Sequence, residues 1–551
     1  MHMTLSILSA LLLSLMSCSG GKKQADLILT NAMVYTVDRD FSKAEAIAVK
    51  NHRIVAVGSS EEIGSEYRSG TIRDMEGAFV YPGWIDAHCH FFGYGMNLNA
   101  VDVAGTSSVE EIIEMLKAHH LEHQGAWITG RGWDQNDWEV QEFPDRTMLD
   151  AHFPDTPILL RRIDGHAGWA NSAALKIAGI TADTKVDGGR VLLSDGIPNG
   201  ILIDNAIGLV GSKVPRPSEK EIINALQQAQ TNCFQVGLTS VQDAGLSRQV
   251  VQLIDSLNRE GSLQIRINAW LSPSRENFSH FVEKGVYQTD HLSVNTIKLF
   301  ADGALGSRGA RMIEPYSDDP NNQGLFVTPL DELEKFCRKA YANDYAVATH
   351  CIGDAANRET LKIYANILGG ANDRRWRIEH AQIIHPDDFH FFGDYNIIPS
   401  VQSTHATSDM YWAEKRVGPE RIKGAYALRQ LMEENGWIPN GSDFPVEQIN
   451  PLFGFYAAVV RKDQSGYPEG GFQMENALSR KDALRAMTIW AAKAGFEDHL
   501  KGSIEVGKLA DFTVTTEDLM TAPEEKLFKI QVKATYSGGE LVYKAFNKLI
   551  E

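Results

Sequence analysis

An α/β fold, a closed (β/α)8 TIM-type barrel, is predicted by three features of this 551-residue sequence. Eight apolar, strand-like segments follow one another, each leading through a polar or glycine-bearing turn into a helical pattern, which is the order of a parallel sheet wound with helices. Eight is also the number at which such a sheet closes on itself. The composition is globular, with 43% hydrophobic and 23% charged residues, and excludes a disordered, collagen-like or coiled-coil chain.

In order, the segments are GWIDAHCHF from Gly83, GLTSVQDAG from Gly237, IRINAWLS from Ile265, TIKLFADG from Thr296, AVATHCIGD from Ala346, WRIEHAQ from Trp376, IIPSVQST from Ile397 and IPNGSDFPV from Ile438. They define a barrel body over residues 83–499. Roughly 140 residues separate the first segment from the second, far beyond an ordinary connection, so residues 102–215 read as an insertion with structure of its own. Two strand-like stretches, AWITGRGWDQ and PILLRRIDGHAGWAN, lie inside it. An insertion on a βα loop sits over the barrel mouth, where substrates are selected.

The two ends of the chain alternate apolar and polar residues, as half-buried strands do, with Asn51-His52 suited to a hairpin tip. Residues 24–82 and 500–551 are therefore expected to build one composite β-sandwich flanking the barrel. Ahead of them, TLSILSALLLSLMS is too short for a membrane span and the right length for the core of a signal peptide, assigned to residues 1–18. The sequence around Cys18 resembles a bacterial lipobox. Against that, Lys and Arg are absent before the apolar run and Met16 is bulky; a plain secretory signal with an incidental cysteine is the alternative. The expectation is export to the periplasm or cell envelope, with membrane attachment only through a lipid on Cys18.

An excess of 71 acidic over 53 basic side chains, net charge -18, argues against a nucleic-acid partner, which requires a basic footprint. The five cysteines show no CxxC pair, so neither a disulfide framework nor a structural zinc cluster is indicated.

Chemistry gathers at the C-terminal ends of the segments, which meet at one mouth in such a barrel. His88 and His90 are two apart on a strand, so both face one side and can clasp an ion, while Cys89 faces away. HxH alone is a weak signal. His350, His380 and Asp443 end the fifth, sixth and eighth segments and would converge on that pair. Lys298 sits inside an apolar strand, where an unpaired ammonium is costly. As a neutral amine it can take up carbon dioxide and become a carbamate able to bridge two cations. Taken alone, an ion pair with Asp302 is the simpler reading.

The succession PGWIDAHCH, KLFADGALGSR, THCIGD, RIEHAQ and NGSDFP resembles the metal-dependent amidohydrolase superfamily, in particular the amidohydrolase family 3 branch that includes N-substituted formamide deformylase. The likeness runs from the β module near Asp26 to GKLADFTV near Gly507. It implies that His88, His90 and Asp443 hold one metal and His350 and His380 a second, with Lys298 carboxylated and bridging. Zinc is the usual occupant, although manganese and iron suit the same donors. The implied reaction is hydrolysis of a non-peptide carbon-nitrogen bond of a small amide, N-acyl or formamide-like compound. A metal-bridged hydroxide would attack, and Asp443 would shuttle the proton.

His166 and Trp169 in the insertion and Arg308 after Lys298 are candidates for gripping substrate. Their alternatives are a turn cap for His166, core packing for Trp169 and an ion pair with Asp302 for Arg308. His405 ends the seventh segment, where it could reach the substrate, but surface or core duty is the expectation. Two other functions compete: a heterocycle deaminase, which on the mononuclear pattern lacks the bridging lysine, and a non-catalytic ligand-binding envelope lipoprotein. A homodimer is the expected assembly, because sheet domains flanking such barrels often pair, although no residue pattern specifies it.

Overall fold

The computed structural model describes residues 21–122 and 125–545. The signal-peptide and Cys18 assignments lie outside the described residues. Within them, no helix is long and apolar enough to cross a membrane.

Seven parallel strands form the barrel wall in chain order: Trp84–Cys89, Leu238–Leu246, Arg266–Leu271, Leu292–Phe300, Ala346–Cys351, Arg377–His380 and Ile398–Ser400. Most are buried along their whole length. Burial on both faces removes the solvent-facing alternation of a half-exposed strand, although buried polar residues such as Gln242, Asn268 and Arg377 interrupt the apolar runs. The eighth segment is not a regular strand, yet it closes the ring. Asn440 forms a parallel bridge with Val401, Gly441 N–H donates to Val401 O at 2.9 Å, and Asp443 N–H donates to His88 O at 2.7 Å. His90 N–H donates to Phe444 O at 2.8 Å, so the first strand is tied to the segment on its far side.

Amphipathic helices wrap this wall. Glu219–Gln235 opens with a capping box between Ser218 and Glu221, and Asp354–Leu368 ends on Gly369 at φ 75°, the left-handed stop that glycine adopts without a Cβ clash. One continuous apolar core fills the space between the wall and its helices.

Strands from both ends of the chain share one of two sheets beside the barrel. A four-stranded sheet of Leu27–Thr30, Ala46–Lys50, Arg53–Gly58 and Ile72–Asp74 faces a six-stranded sheet. The latter joins Met33–Tyr35, Lys43–Ala44 and Phe79–Pro82 to Phe512–Thr515, Val532–Ser537 and Glu540–Lys544. Leu29, Val34, Ile47, Val80, Phe512 and Val514 pack between them. Asn51 and His52 both have positive φ, 49° and 62°, the conformation of a tight hairpin turn.

Between the first two barrel strands lies a mixed six-stranded sheet with two apolar cores of its own. It is richer than the two strand-like stretches suggested. PILLRRIDGHAGWAN is a hairpin of Ile158–Arg162 and Ala167–Ala170, and the antiparallel pair Gly189–Ser194 and Ile197–Asp204 extends the sheet to its edge.

Candidate metal centre

The parallel register places the ends of neighbouring strands side by side. Phe300 pairs with His350, His350 with Glu379 and Cys351 with His380. His380 and Asp443 both have positive φ, 71° and 60°, a costly backbone for residues other than glycine and one that clusters where side chains must be aimed.

Asp443 is the hub. Its Oδ1 lies 3.4 Å from His88 Nε2 and 3.2 Å from His90 Nε2, and its Oδ2 lies 3.7 Å from His405 Nε2. Burial alone would raise its pKa, but the imidazoles of His88, His405 and His90 close around it hold the carboxyl well below its usual range. Two ligand sets follow, His88–His90–Asp443 and His380–His405–Asp443, each with donor atoms within 4.8 Å of one another.

Behind these groups, His88 Nδ1 sits 2.5 Å from Glu379 Oε2. Burial opposes ionisation of Glu379, but Arg377 and His88 draw its pKa down to about 2. A carboxylate on one ring nitrogen fixes the tautomer that leaves the other nitrogen free to bind a cation. Asp443 Oδ1 and His380 Nδ1 are buried without a hydrogen bond. A donor set of imidazoles and a carboxylate with orphaned atoms fits a divalent ion.

Lys298 Nζ is buried and lies 3.3 Å from His88 Nε2. Burial pushes its pKa down to about 8. The simpler reading, an ion pair with Asp302, does not occur. The Asp302 carboxylate is taken up by the backbone N–H groups of Arg311, Ile352 and Gly353 at 2.8 to 3.0 Å. His350 meets His380 edge to face, with ring centroids 4.6 Å apart, while its Nε2 lies 3.3 Å from Gly303 O, so the structure does not gather it into a three-residue set.

Among the expected substrate groups, His166 lines the pocket and tilts over His350 at 4.8 Å between centroids, with Nδ1 held by Asp204 at 2.6 Å. Trp169 is corrected: it is fully buried among Trp133, Ile201 and Ile203 in the inserted core and does not line the pocket, because its strand faces that core. Arg308 is corrected too. Its guanidinium forks onto Asp318, through Nε at 3.2 Å and Nη2 at 2.9 Å, and is absent from the pocket wall. The sequence reading missed Glu379 and gave His405 surface or core duty, whereas its imidazole faces Asp443. His405 Nδ1 lies 3.0 Å from Glu447 Oε1. Burial lowers its pKa, but Asp443 and Glu447 raise it to about 10.

The pocket over this cluster, about 170 Å³, is also lined by Asp134, Arg162, Gln382, Asp409 and Glu447. It can hold a small polar molecule against Asp443, with imidazoles on two sides.

Comparison with known proteins agrees with this chemistry. The Amidohydrolase family model matches residues 71–543. Protein LONG AFTER FAR-RED 3 of Arabidopsis thaliana is 36% identical over 544 residues, covering 94% of this chain and 92% of its own length. N-substituted formamide deformylase of Arthrobacter pascens is 26% identical over 538 residues, covering 94% and 98%. An uncharacterized metal-dependent hydrolase from Pyrococcus horikoshii superposes with a TM-score of 0.74 at 28% identity, covering 90% of this chain and 99% of that one. With a family match spanning nearly all of the described residues, the chain belongs to the amidohydrolase family.

Proposed function

We propose that this metal-dependent hydrolase cleaves the amide bond of a small N-acyl or formamide-like compound. His88, His90 and Asp443 would hold one divalent ion, and His350 and His380 a second, with zinc the expected metal. When bound, such ions lower the pKa of water and polarise a carbonyl. The observation that carries the reading is the position of Asp443, whose two oxygens face His88 and His90 on one side and His405 on the other.

In this reading Asp443 accepts a proton as the water oxygen bonds to the carbonyl carbon. It returns that proton to the nitrogen as the carbon-nitrogen bond breaks, leaving a carboxylic acid and an amine. His405, backed by Glu447, keeps Asp443 oriented. His166, backed by Asp204, offers Nε2 to the substrate. Lys298 is proposed to be carboxylated. Its neutral nitrogen adds to the carbon of carbon dioxide and releases one proton to solvent, giving a carboxylate among the histidines. The support is its burial beside His88 with no carboxylate within ion-pair distance among the described residues.

The test is amine release from a panel of N-formyl and N-acyl amines by zinc-loaded protein, with Asp443→Asn as control. Turnover that disappears on chelation, and falls by at least about 10²-fold in the variant, supports the reading. Ammonia release from aminated heterocycles in place of amide cleavage overturns it. For Lys298, isotopically labelled bicarbonate should give a carbamate carbon resonance that Lys298→Ala lacks.

A further inference from the structure

A second, larger cavity of about 610 Å³ adjoins the pocket just described and shares His166, Asp164 and Val446 with it. His90 and Phe300 form part of its wall, so it opens directly beside the candidate metal centre. Its far wall comes from the inserted sheet.

Two arginines stand in that wall, Arg131 and Arg161. They lie on neighbouring parallel strands, Ile128–Trp133 and Ile158–Arg162, and the register sets them directly opposite each other. Like charges at paired positions repel, so a sheet does not place them there for its own stability. Neither has a carboxylate partner. Arg131 Nη2 donates to the Ile163 carbonyl, and its Nε is buried without a hydrogen bond. Arg161 makes no hydrogen bond or ion pair with its side chain among the described residues. The contrast with the next residue is informative, because Arg162 is held by Asp134, Asp164 and Gln135.

The acidic groups nearby are engaged elsewhere. Asp102, in register with Arg131 on its other side, accepts from Ala104 N–H at 3.1 Å. Asp164 is bound to Arg162 and to the His166 N–H, and Asp204 to His166 Nδ1. The cavity therefore presents two guanidinium groups with free donors, and the planar fork of each matches a carboxylate. Met96, Ile207 and Phe300 supply apolar surface in the same wall.

We infer that this cavity is an anion-binding subsite in which Arg131 and Arg161 grip a carboxylate of the substrate while its amide lies at Asp443. The inference rests on the proposed hydrolase reading and narrows it to N-acyl compounds that carry a carboxylate, joined to the amide by a short apolar spacer.

The test is calorimetric binding to metal-loaded protein, so that it does not depend on turnover. The probes are N-acetylglycine and N-acetyl-γ-aminobutyrate, which hold a carboxylate at two distances from the amide, each compared with its uncharged primary amide. At least one acid is expected to bind about ten-fold more tightly than its amide, the effect of one charge-assisted hydrogen-bond pair. Arg161→Met should abolish most of that preference and leave binding of the uncharged amide unchanged. It is the cleaner variant because its side chain has no internal hydrogen bond to lose; Arg131→Met should act in the same direction. Equal or absent binding of acids and amides, or a preference that survives both substitutions, overturns the inference. Failure of the hydrolase reading appears separately, as absent amine release, and leaves the binding result intact.

Discussion

Glu379 joins His88 to Arg377: one carboxylate oxygen lies 2.5 Å from His88 Nδ1 and the other 2.6 Å from Arg377 Nε, with all three side chains buried. Arg377 in turn donates to the Ala87 carbonyl at 2.8 Å, so the candidate ligand is fixed to its own strand through the barrel interior. Such a carboxylate behind a histidine raises its basicity as a ligand and holds its ring in place.

Glu379→Gln keeps the volume and one hydrogen bond but removes the charge. Metal affinity is expected to fall about 10 to 100-fold with the fold retained. Chelator competition reads the affinity and circular dichroism the fold; an unchanged metal affinity would sink the supporting role. Glu379→Ala should be worse, because it strands the buried Arg377 guanidinium and costs about 3–5 kcal/mol of stability.

Why Glu379 escaped the sequence reading is a matter of strand geometry. Residues adjacent on a strand point to opposite faces, so if His380 serves the site Glu379 should not. The chain leaves the strand conformation at His380, with φ 71°, and both side chains reach the cluster. His405 stands out at the end of the seventh segment, yet its expected duty is surface or core; it lies in the short helix Ser403–Asp409, whose turn brings it to Asp443. The barrel strands were legible because short strand-like segments recur, each followed by a turn and a helical pattern. The HxH pair and Asp443 stood out because polar groups ending such segments are conspicuous, and Lys298 because it interrupts an apolar one. Trp169 and Arg308 show the limit, since an aromatic ring or a guanidinium near a mouth carries no mark of whether it faces ligand or protein.

His405→Asn tests the orientation of Asp443. Loss of the imidazole facing Asp443 Oδ2 is expected to lower kcat by about 10²-fold while the bound metal stays at the level of the unsubstituted protein. Elemental analysis decides the alternative role that the geometry also permits. If metal content falls, His405 is a ligand with His380 and Asp443.

Gly441 lets the eighth segment approach the first strand. A Cβ there would lie 2.4 Å from His88 N and 2.8 Å from Asp86 Oδ1, closer than any real contact. Gly441→Ala should therefore push Asp443 away from the histidines, costing about 1–3 kcal/mol. It should also weaken metal binding, which a structurally remote loss of stability would not do. Gly64→Ala is the control: in the helix Ser60–Glu66 a Cβ meets nothing within 4 Å, and alanine is the better helix former. Thermal midpoints should fall in the first variant and hold or rise in the second.

Arg266 and Asp511 pin the sandwich to the barrel. Arg266, at the start of the third barrel strand, donates through Nε and Nη2 to both Asp511 oxygens at 2.7 and 2.8 Å, and the pair is buried. Burial would raise the Asp511 pKa, but Arg266 and the Gly538 N–H bring it below the ordinary carboxylate value. A carboxyl with a depressed folded-state pKa contributes stability that is fully present above its unfolded value, about 3.9, and lost as pH falls through the folded value. Asp511→Asn should thus lower the thermal midpoint at pH 7 and flatten the acid limb of stability below about pH 4, compared with the unsubstituted chain. Asp511→Ala should cost more, about 3–5 kcal/mol, by leaving the guanidinium buried and unpaired. An acid limb that is unchanged in Asp511→Asn would mean that other carboxylates carry the pH dependence and that this pair is held by packing alone.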